Sequence, residues 1–165
     1  IVALLIAVLG IVALIDMMLG GMGAHINQWL GANIDWSLRG LLGYLFYPFT
    51  LIIGVPIEDA GVISKIIGGR LILTEVTAYQ DLSAAIGSKA LVHPRSAVIT
   101  AYALCGFAHV ASMAIFVGGV TALAPGRTAD ISKVAVKALI AATLACLLTA
   151  CIAGTFYNDT SILLG

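Results

Sequence analysis

The sequence predicts an all-α integral membrane protein with a helical hairpin that enters the bilayer without crossing it. Hydrophobic residues make up 61% of the 165 residues and charged residues only 10%, whereas soluble domains carry roughly 25% charged residues. The mean hydropathy of +1.11 agrees with this class. Apolar runs long enough for a membrane crossing stand at both ends of the chain, and shorter runs interrupted by polar residues stand between them.

The charge balance and the missing motifs exclude several classes of function. Eight Lys and Arg balance eight Asp and Glu, so no bulk field attracts nucleic acid or anionic substrates. The sequence has no phosphate-binding loop, no dinucleotide-binding glycine motif, no H-E-x-x-H and no G-x-S-x-G. It therefore predicts neither an enzyme nor a nucleic-acid-binding protein. No metal site is expected, because the three cysteines lack metal-binding spacing and are predicted to pack as small side chains: Cys105, Cys146 and Cys151.

Residues 1–22 are predicted to form a transmembrane helix, because about 20 residues at 1.5 Å each span the hydrocarbon. The run lacks the basic start and the cleavage site of a signal peptide, and since it begins at Ile1, the chain is expected to be part of a longer protein. Residues 23–57 follow as an outer loop and an interfacial helix, which is either amphipathic or broken, since Pro48 interrupts the apolar run. A tilted crossing by residues 36–56 is the alternative.

Residues 58–86 predict a re-entrant helical hairpin. As a single crossing, this segment would place Lys65, Arg70 and Glu75 inside the bilayer, at a few kcal/mol each. With a turn at Thr74 and Glu75, the first arm has about 13 residues and the second fewer, so neither arm crosses about 30 Å of hydrocarbon. Glu75 then lies at the tip near mid-membrane, where non-helical backbone is tolerated only inside protein or beside a watery cavity.

Residues 94–122 predict a helix that breaks in its middle. The segment starts at a Pro, and its centre "CGFAHVAS" gathers a glycine and polar residues, a pattern typical of unwound membrane helices that expose backbone groups to an ion or a substrate. Hairpin and broken helix together form a predicted unit of residues 58–126. Residues 127–165 contain the last crossing helix and the C-terminus, and the basic residues near its start indicate a cytoplasmic loop there.

The tip and the break supply five candidate ligand-binding residues: Glu75, Thr74, Phe107, His109 and Ser112. The Glu75 carboxylate can accept hydrogen bonds from ligand hydroxyls or carry a proton, and it can equally pair with Arg70 or cap the second arm. His109 is a ligand contact or a buried histidine that a backbone carbonyl satisfies. Phe107 packs in the core or stacks on a planar ring. Ser112 contacts ligand or bonds back to its own helix, and Thr74 holds the hairpin or touches ligand.

Together these segments resemble the C-terminal half of the concentrative nucleoside transporters over nearly all 165 residues. The residues that carry the resemblance are "LLGYLFYPFTLIIGVPIEDA", "GGRLILTEVTAYQDLS", "PRSAVITAYALCGFAHVASMAIFVGGVTALAPGR" and "KALIAATLACLLTACIAG". The family's hairpin tip usually reads Asn-Glu-Phe-Val-Ala-Tyr, and "TEVTAY" keeps the Glu as Glu75 but has Thr74 for Asn. The family's break usually reads Gly-Phe-Ala-Asn, two further residues and Ser. Here "GFAHVAS" keeps Phe107 and Ser112 but has His109 for Asn.

The resemblance implies the C-terminal half of an inverted-repeat fold, with a hairpin, a discontinuous helix and scaffold helices. It implies a homotrimeric, multi-pass symporter of the cell inner (plasma) membrane, which imports nucleosides with Na⁺ or H⁺ by an elevator-like movement and uses no other cofactor. Glu75 and His109 would bind the ribose hydroxyls, with Ser112 assisting and Phe107 beside the base. The alternative is a transport-incompetent sensor or assembly subunit of the same fold, which the substitutions at Thr74 and His109 allow.

Overall fold

The computed structural model describes residues 2–30 and 35–158, and all regular structure within these ranges is helical. The helices are α1 Val2–Leu30, α2 Leu38–Ile52, α3 Ile57–Arg70, α4 Glu75–Gly87, α5 Pro94–Leu104, α6 Val110–Leu123 and α7 Thr128–Thr155, with a 3-10 turn at Pro125–Arg127. The predicted all-α fold class is confirmed. Parts of the predicted segments, namely residues 1, 31–34 and 159–165, lie outside the described residues.

Two stretches in the described ranges are long and apolar enough to cross a membrane, Leu9–Gln28 within α1 and Pro125–Thr155, which contains α7. α1 has 29 residues and reaches Leu30, whereas the sequence predicted a loop from residue 23. Its polar C-terminal turns stay helical because the chain after α1 folds back on them, with Trp36 Nε1 donating to Asn27 Oδ1 at 2.9 Å. The Leu38 amide donates to Asp16 Oδ1 at 2.6 Å, so a carboxylate on α1 caps α2.

α2 is one continuous helix through Pro48, where the sequence left open an unbroken amphipathic helix or a broken one. Pro48 removes one backbone donor, but α2 packs along α3, and this tertiary contact holds the helix together. Gly68 permits the close approach, since a Cβ at this position would lie 2.7 Å from the Leu42 carbonyl oxygen. Phe46 and Thr50 are buried on α2. The predicted interfacial helix is therefore unbroken and is packed against the hairpin.

α3 is the central helix of the described fold, and two apolar cores meet on it. One core joins α3 to α2, α5 and α7, and its buried members include Ile63, Ile67, Ile99 and Leu147. The other joins α3 to α4 and α5 through Ile66, Leu82 and Leu104. Because both cores share α3, this helix positions the remaining elements of the hairpin and of the broken helix.

The hairpin consists of α3 and α4, joined by a turn at residues 71–74, and the broken helix consists of α5 and α6, separated by an unwound stretch at residues 105–109. α3 has 14 residues and α4 has 13, so each arm is about 20 Å long and shorter than the hydrocarbon of a bilayer. The turn and the unwound stretch touch, because the Val110 amide donates to the Leu71 carbonyl at 2.9 Å.

Asp59, in the first turn of α3, fixes the base of the hairpin to the start of α5. Its side chain is fully buried and accepts hydrogen bonds from the Val92 amide at 2.7 Å, the His93 amide at 3.1 Å and the Ser96 hydroxyl at 2.5 Å. The first amides of a helix have no partners within it, and α5 begins at Pro94. Asp59 therefore caps α5 from a neighbouring helix.

We expect Asp59→Ala to lower the free energy of unfolding by about 2 kcal/mol, because it leaves a helix start without its cap and buried donors without acceptors. Equilibrium unfolding in mixed detergent micelles measures this. Asp81→Ala is the matched control, since Asp81 pairs with Arg39 where both side chains are partly exposed, and it should cost less than about 1 kcal/mol. Equal losses in the two variants would contradict the capping role.

Candidate functional site

Glu75 stands at the start of α4, at the tip of the hairpin. Thr74 is the N-cap of this helix, and its hydroxyl oxygen accepts from the Thr77 amide at 3.5 Å, while the Thr77 hydroxyl donates to the Thr74 carbonyl at 2.7 Å. A carboxylate in the first turn of a helix is stabilised by the helix dipole. Glu75 is 25% exposed at its side chain, so the helix start presents a stabilised and accessible carboxylate.

His109 is the N-cap of α6, the second half of the broken helix. Its Nδ1 accepts from the Ser112 amide at 3.1 Å, and the Ser112 side-chain oxygen accepts from the His109 amide at 3.1 Å. This reciprocal arrangement is a capping box built by an imidazole and a hydroxyl. Both side chains are almost completely buried. The cap fixes the histidine ring in one orientation.

Glu75 and His109 meet across the interface between hairpin and broken helix. His109 Nε2 lies 2.8 Å from Glu75 Oε2, and both atoms are shielded from solvent and have no partner in hydrogen-bond geometry, each other included, among the described residues. The positive ends of α4 and α6 therefore converge on the same point. Converging helix starts of this kind favour an anionic or strongly hydrogen-bonding group between them.

The cap determines which nitrogen of His109 carries the proton. Because Nδ1 accepts a hydrogen bond from the Ser112 amide, Nδ1 has to be unprotonated, and a neutral ring then carries its proton on Nε2. Nε2 faces the Glu75 carboxylate. The N–H of a neutral His109 therefore lies beside one carboxylate oxygen of Glu75 without hydrogen-bond geometry between them. The Glu75 carboxylate can thus accept hydrogen bonds from a ligand.

Phe107 lies in the unwound stretch, with its ring centroid 5.1 Å from the centre of the His109 ring and 6.1 Å from that of Phe116. The Phe107 side chain is 54% exposed, which is high for a large apolar group in the middle of a fold. An exposed aromatic face beside two polar groups suits a flat, partly polar ligand.

Arg70, the last residue of α3, contacts the unwound stretch of the broken helix at the end of α5. It is buried, and its guanidinium donates to the Ala103 carbonyl at 2.6 Å and to the Gly106 carbonyl, and contacts Cys146 Sγ at 3.4 Å. These carbonyls belong to the end of α5 and to the unwound stretch. Arg70 therefore does not pair with Glu75, which was one of the two structural roles considered for that carboxylate.

The structure brings Glu75, His109 and Phe107 together and uses Thr74 and Ser112 as helix caps. Whether any of the five binds a ligand stays a prediction. Sequence reasoning missed the caps formed by Asp59 and Arg70, because both pair elements more than 30 residues apart in sequence. The sequence offered only a weak signal, namely that charged residues stand at both ends of the first hairpin arm.

Comparison with known proteins gives the family. The family model described as "Na+ dependent nucleoside transporter C-terminus" matches residues 1–154. Solute carrier family 28 member 3 from Homo sapiens is 39% identical over 142 residues, which cover 77% of this chain and 20% of that protein. Sodium/nucleoside cotransporter 1 from Sus scrofa is 34% identical over 168 residues, which cover 93% of this chain and 25% of that protein.

Solved structures agree with these relatives. CNTnw in an inward-facing substrate-bound state is 35% identical, with a TM-score of 0.76 over 93% of this chain and 36% of that chain. A CNTnw variant in a state called intermediate 2 gives a TM-score of 0.81 over 94% and 37%. The resemblance seen in the sequence is confirmed, and these relatives are membrane transporters and not enzymes. The chain spans between a fifth and about two fifths of the length of these proteins.

We expect Gly106→Ala to destabilise the protein by about 1 to 3 kcal/mol, because a Cβ at Gly106 would overlap Cys146 Sγ and the packed core would have to shift. The same Cβ would lie 3.8 Å from Cys146 Cβ, so Cys146→Ala should relieve the clash. The double variant is then more stable than Gly106→Ala alone, with a coupling energy of about 1 kcal/mol or more in equilibrium unfolding. Additive losses would show that the two residues do not compete for this space.

Proposed function

We propose that this chain, which belongs to the family of Na⁺-dependent nucleoside transporters, is the C-terminal half of a symporter that imports nucleosides across the plasma membrane. The observation that carries the proposal is the contact of 2.8 Å between His109 Nε2 and Glu75 Oε2, at the meeting point of two helix starts. The Glu75 carboxylate accepts no hydrogen bond at Oε2 among the described residues, so it keeps lone pairs for ligand hydroxyls.

The ligand in this proposal is a nucleoside held at both of its ends. The free Glu75 oxygen accepts hydrogen bonds from ribose hydroxyls, and the exposed Phe107 ring lies beside the base. His109 contacts Glu75 through Nε2. When the carboxylate binds the sugar, the same Nε2 can donate a hydrogen bond to a ribose hydroxyl. Thr74 and Ser112 serve the site through the helix caps they form, so their contribution is to geometry more than to direct contact.

The coupling ion in this proposal is Na⁺, with H⁺ as the alternative that the test distinguishes. Transport follows an elevator-like path in which hairpin and broken helix move together. Two contacts support such a unit. Asp59 links α3 to the start of α5, and the Val110 amide links α6 to the Leu71 carbonyl in the hairpin turn. Moving the two elements separately would break buried hydrogen bonds.

Assembly as a homotrimer belongs to the same proposal. α1 supports it, because a row of large apolar side chains on this helix is exposed in the single chain: Ile6, Ile11, Leu14, Met17 and Met18. Such a surface needs lipid or protein around it. A helix that serves as scaffold can offer both kinds of contact.

Reconstitution into vesicles tests the proposed function. In vesicles that contain the whole transporter of which this chain is proposed to be the C-terminal half, we expect uptake of a radiolabelled nucleoside that depends on an inward Na⁺ gradient and exceeds uptake into vesicles without protein. A pH gradient that drives uptake without Na⁺ would assign H⁺ as the coupling ion. Saturable nucleoside binding without uptake under either gradient would reject the symporter and favour a ligand-binding subunit of the same fold.

We expect Glu75→Gln to weaken nucleoside binding by about tenfold or more, the loss typical of removing a charge-assisted hydrogen bond. Isothermal titration of the purified protein measures the affinity. Glu58→Gln is the matched control, since Glu58 is an exposed residue in the first turn of α3, at the base of the hairpin and far from its tip. An unchanged affinity in a folded Glu75→Gln variant would remove Glu75 from the site.

A further inference from the structure

Arg70 is a buried cation without a buried anion beside it. Its side chain is 3% exposed, and no ion pair within 4.0 Å involves it in the described part of the chain. A buried charge is costly unless dipoles or an opposite charge compensate it. The compensation here comes from backbone, because the guanidinium binds the carbonyl oxygens of Ala103 and Gly106.

The Ala103 carbonyl belongs to the last turn of α5, and the Gly106 carbonyl lies in the unwound stretch after it, where it also accepts from the Ala108 amide at 3.0 Å. The last carbonyls of a helix have no partners within it and form the negative end of its dipole. When a helix stops inside a protein, water is not available to satisfy them. In unwound membrane helices a bound metal ion can fill this role. In this chain Arg70 fills it from the neighbouring helix.

Arg70 is also close in sequence to both members of the candidate site. It stands five positions before Glu75 along the hairpin, and its partner Gly106 stands three positions before His109 along the broken helix. The Gly106 position is tight, since a Cβ there would overlap Cys146 Sγ and lie 3.4 Å from the Arg70 guanidinium. One side chain therefore holds together the two chain segments that carry Glu75 and His109.

The opposite end of α5 is held in the complementary way. Asp59 accepts from the amides of Val92 and His93 at the start of α5, and Arg70 donates to the Ala103 carbonyl at its end. Both residues lie on α3, so α3 and α5 run side by side in the same direction. A negative charge at the start and a positive charge at the end both match the dipole of α5. Side chains of α3 therefore stabilise α5 at both of its ends.

We propose that Arg70 is a positioning residue for the ligand site, a built-in cation that closes the break after α5 and so sets His109 opposite Glu75. It does not touch the ligand. The link to nucleoside affinity rests on the proposed function, whereas the effect on the break can be measured without any ligand.

The test is hydrogen–deuterium exchange of residues 105–112 in the purified full chain without nucleoside. Amides in this stretch bond within the break, to the hairpin turn or to the α6 cap. We expect Arg70→Gln, which is neutral, to speed their exchange about tenfold or more, and Arg70→Lys, which keeps the charge, to stay near wild type. Lys65→Ala is the control on the same helix, because the Lys65 side chain is half exposed and pairs with Asp35 at the surface.

Chemical rescue provides a second, independent measurement. Arg70→Ala leaves room for a free guanidinium ion between the carbonyls of Ala103 and Gly106. Millimolar guanidinium, present from solubilisation onward, should restore slow exchange in Arg70→Ala and leave the wild type and Lys65→Ala unchanged. Tetramethylammonium, which has the charge but no N–H donor, should fail to restore it.

Two results would overturn the inference. One is equal exchange in the wild type, Arg70→Lys and Arg70→Gln, and the other is a folded Arg70→Ala variant that guanidinium does not affect.

Nucleoside affinity is then measured on the same samples, where Arg70→Gln should bind about tenfold more weakly than Arg70→Lys. If the wild type binds no nucleoside, the proposed function fails, but the exchange data still decide the role of Arg70.

Discussion

Helices that start and stop inside the fold leave backbone donors and acceptors that only the protein can satisfy, and this constraint shapes the site. α4 and α6 start next to each other, and α5 ends beside them. Thr74 and the pair of His109 and Ser112 supply the caps at the two starts, while Arg70 binds the carbonyls at the end of α5. Without these partners each unpaired buried group would cost about 1 to 3 kcal/mol.

The caps separate the residues that build the site from those free to act on a ligand. The side chain of Ser112 is committed to its helix, and one nitrogen of His109 is committed with it. The groups that remain available to a ligand are His109 Nε2, the Glu75 carboxylate and the exposed ring of Phe107. Since His109 occupies the position where the related transporters usually have Asn, the same residue serves as cap and as partner of Glu75. Asn is itself a strong N-cap, so the substitution conserves the cap and changes the chemistry that faces the carboxylate.

Hydropathy and arm length predicted the class, the hairpin and the broken helix, because these depend on properties that are local in sequence. The tip at Thr74 and Glu75 followed from the cost of placing Lys65, Arg70 and Glu75 in one crossing helix. The sequence did not decide whether α2 continues through Pro48, because the packing against α3 that overrides the local preference of proline is not local in sequence. The roles of Asp59 and Arg70 could not be predicted, since each depends on a partner more than 30 residues away.

We propose that the Glu75 carboxylate binds the hydroxyls of a nucleoside sugar. The most direct measurement compares the affinity of a ribonucleoside and of its 2′,3′-dideoxy analogue for the wild type and for Glu75→Gln. We expect that removing the hydroxyls weakens binding to the wild type by about tenfold or more and has little further effect on Glu75→Gln, because ligand hydroxyls and carboxylate are partners in one interaction. An equal loss in both proteins would contradict it, since the hydroxyls would then be bound elsewhere.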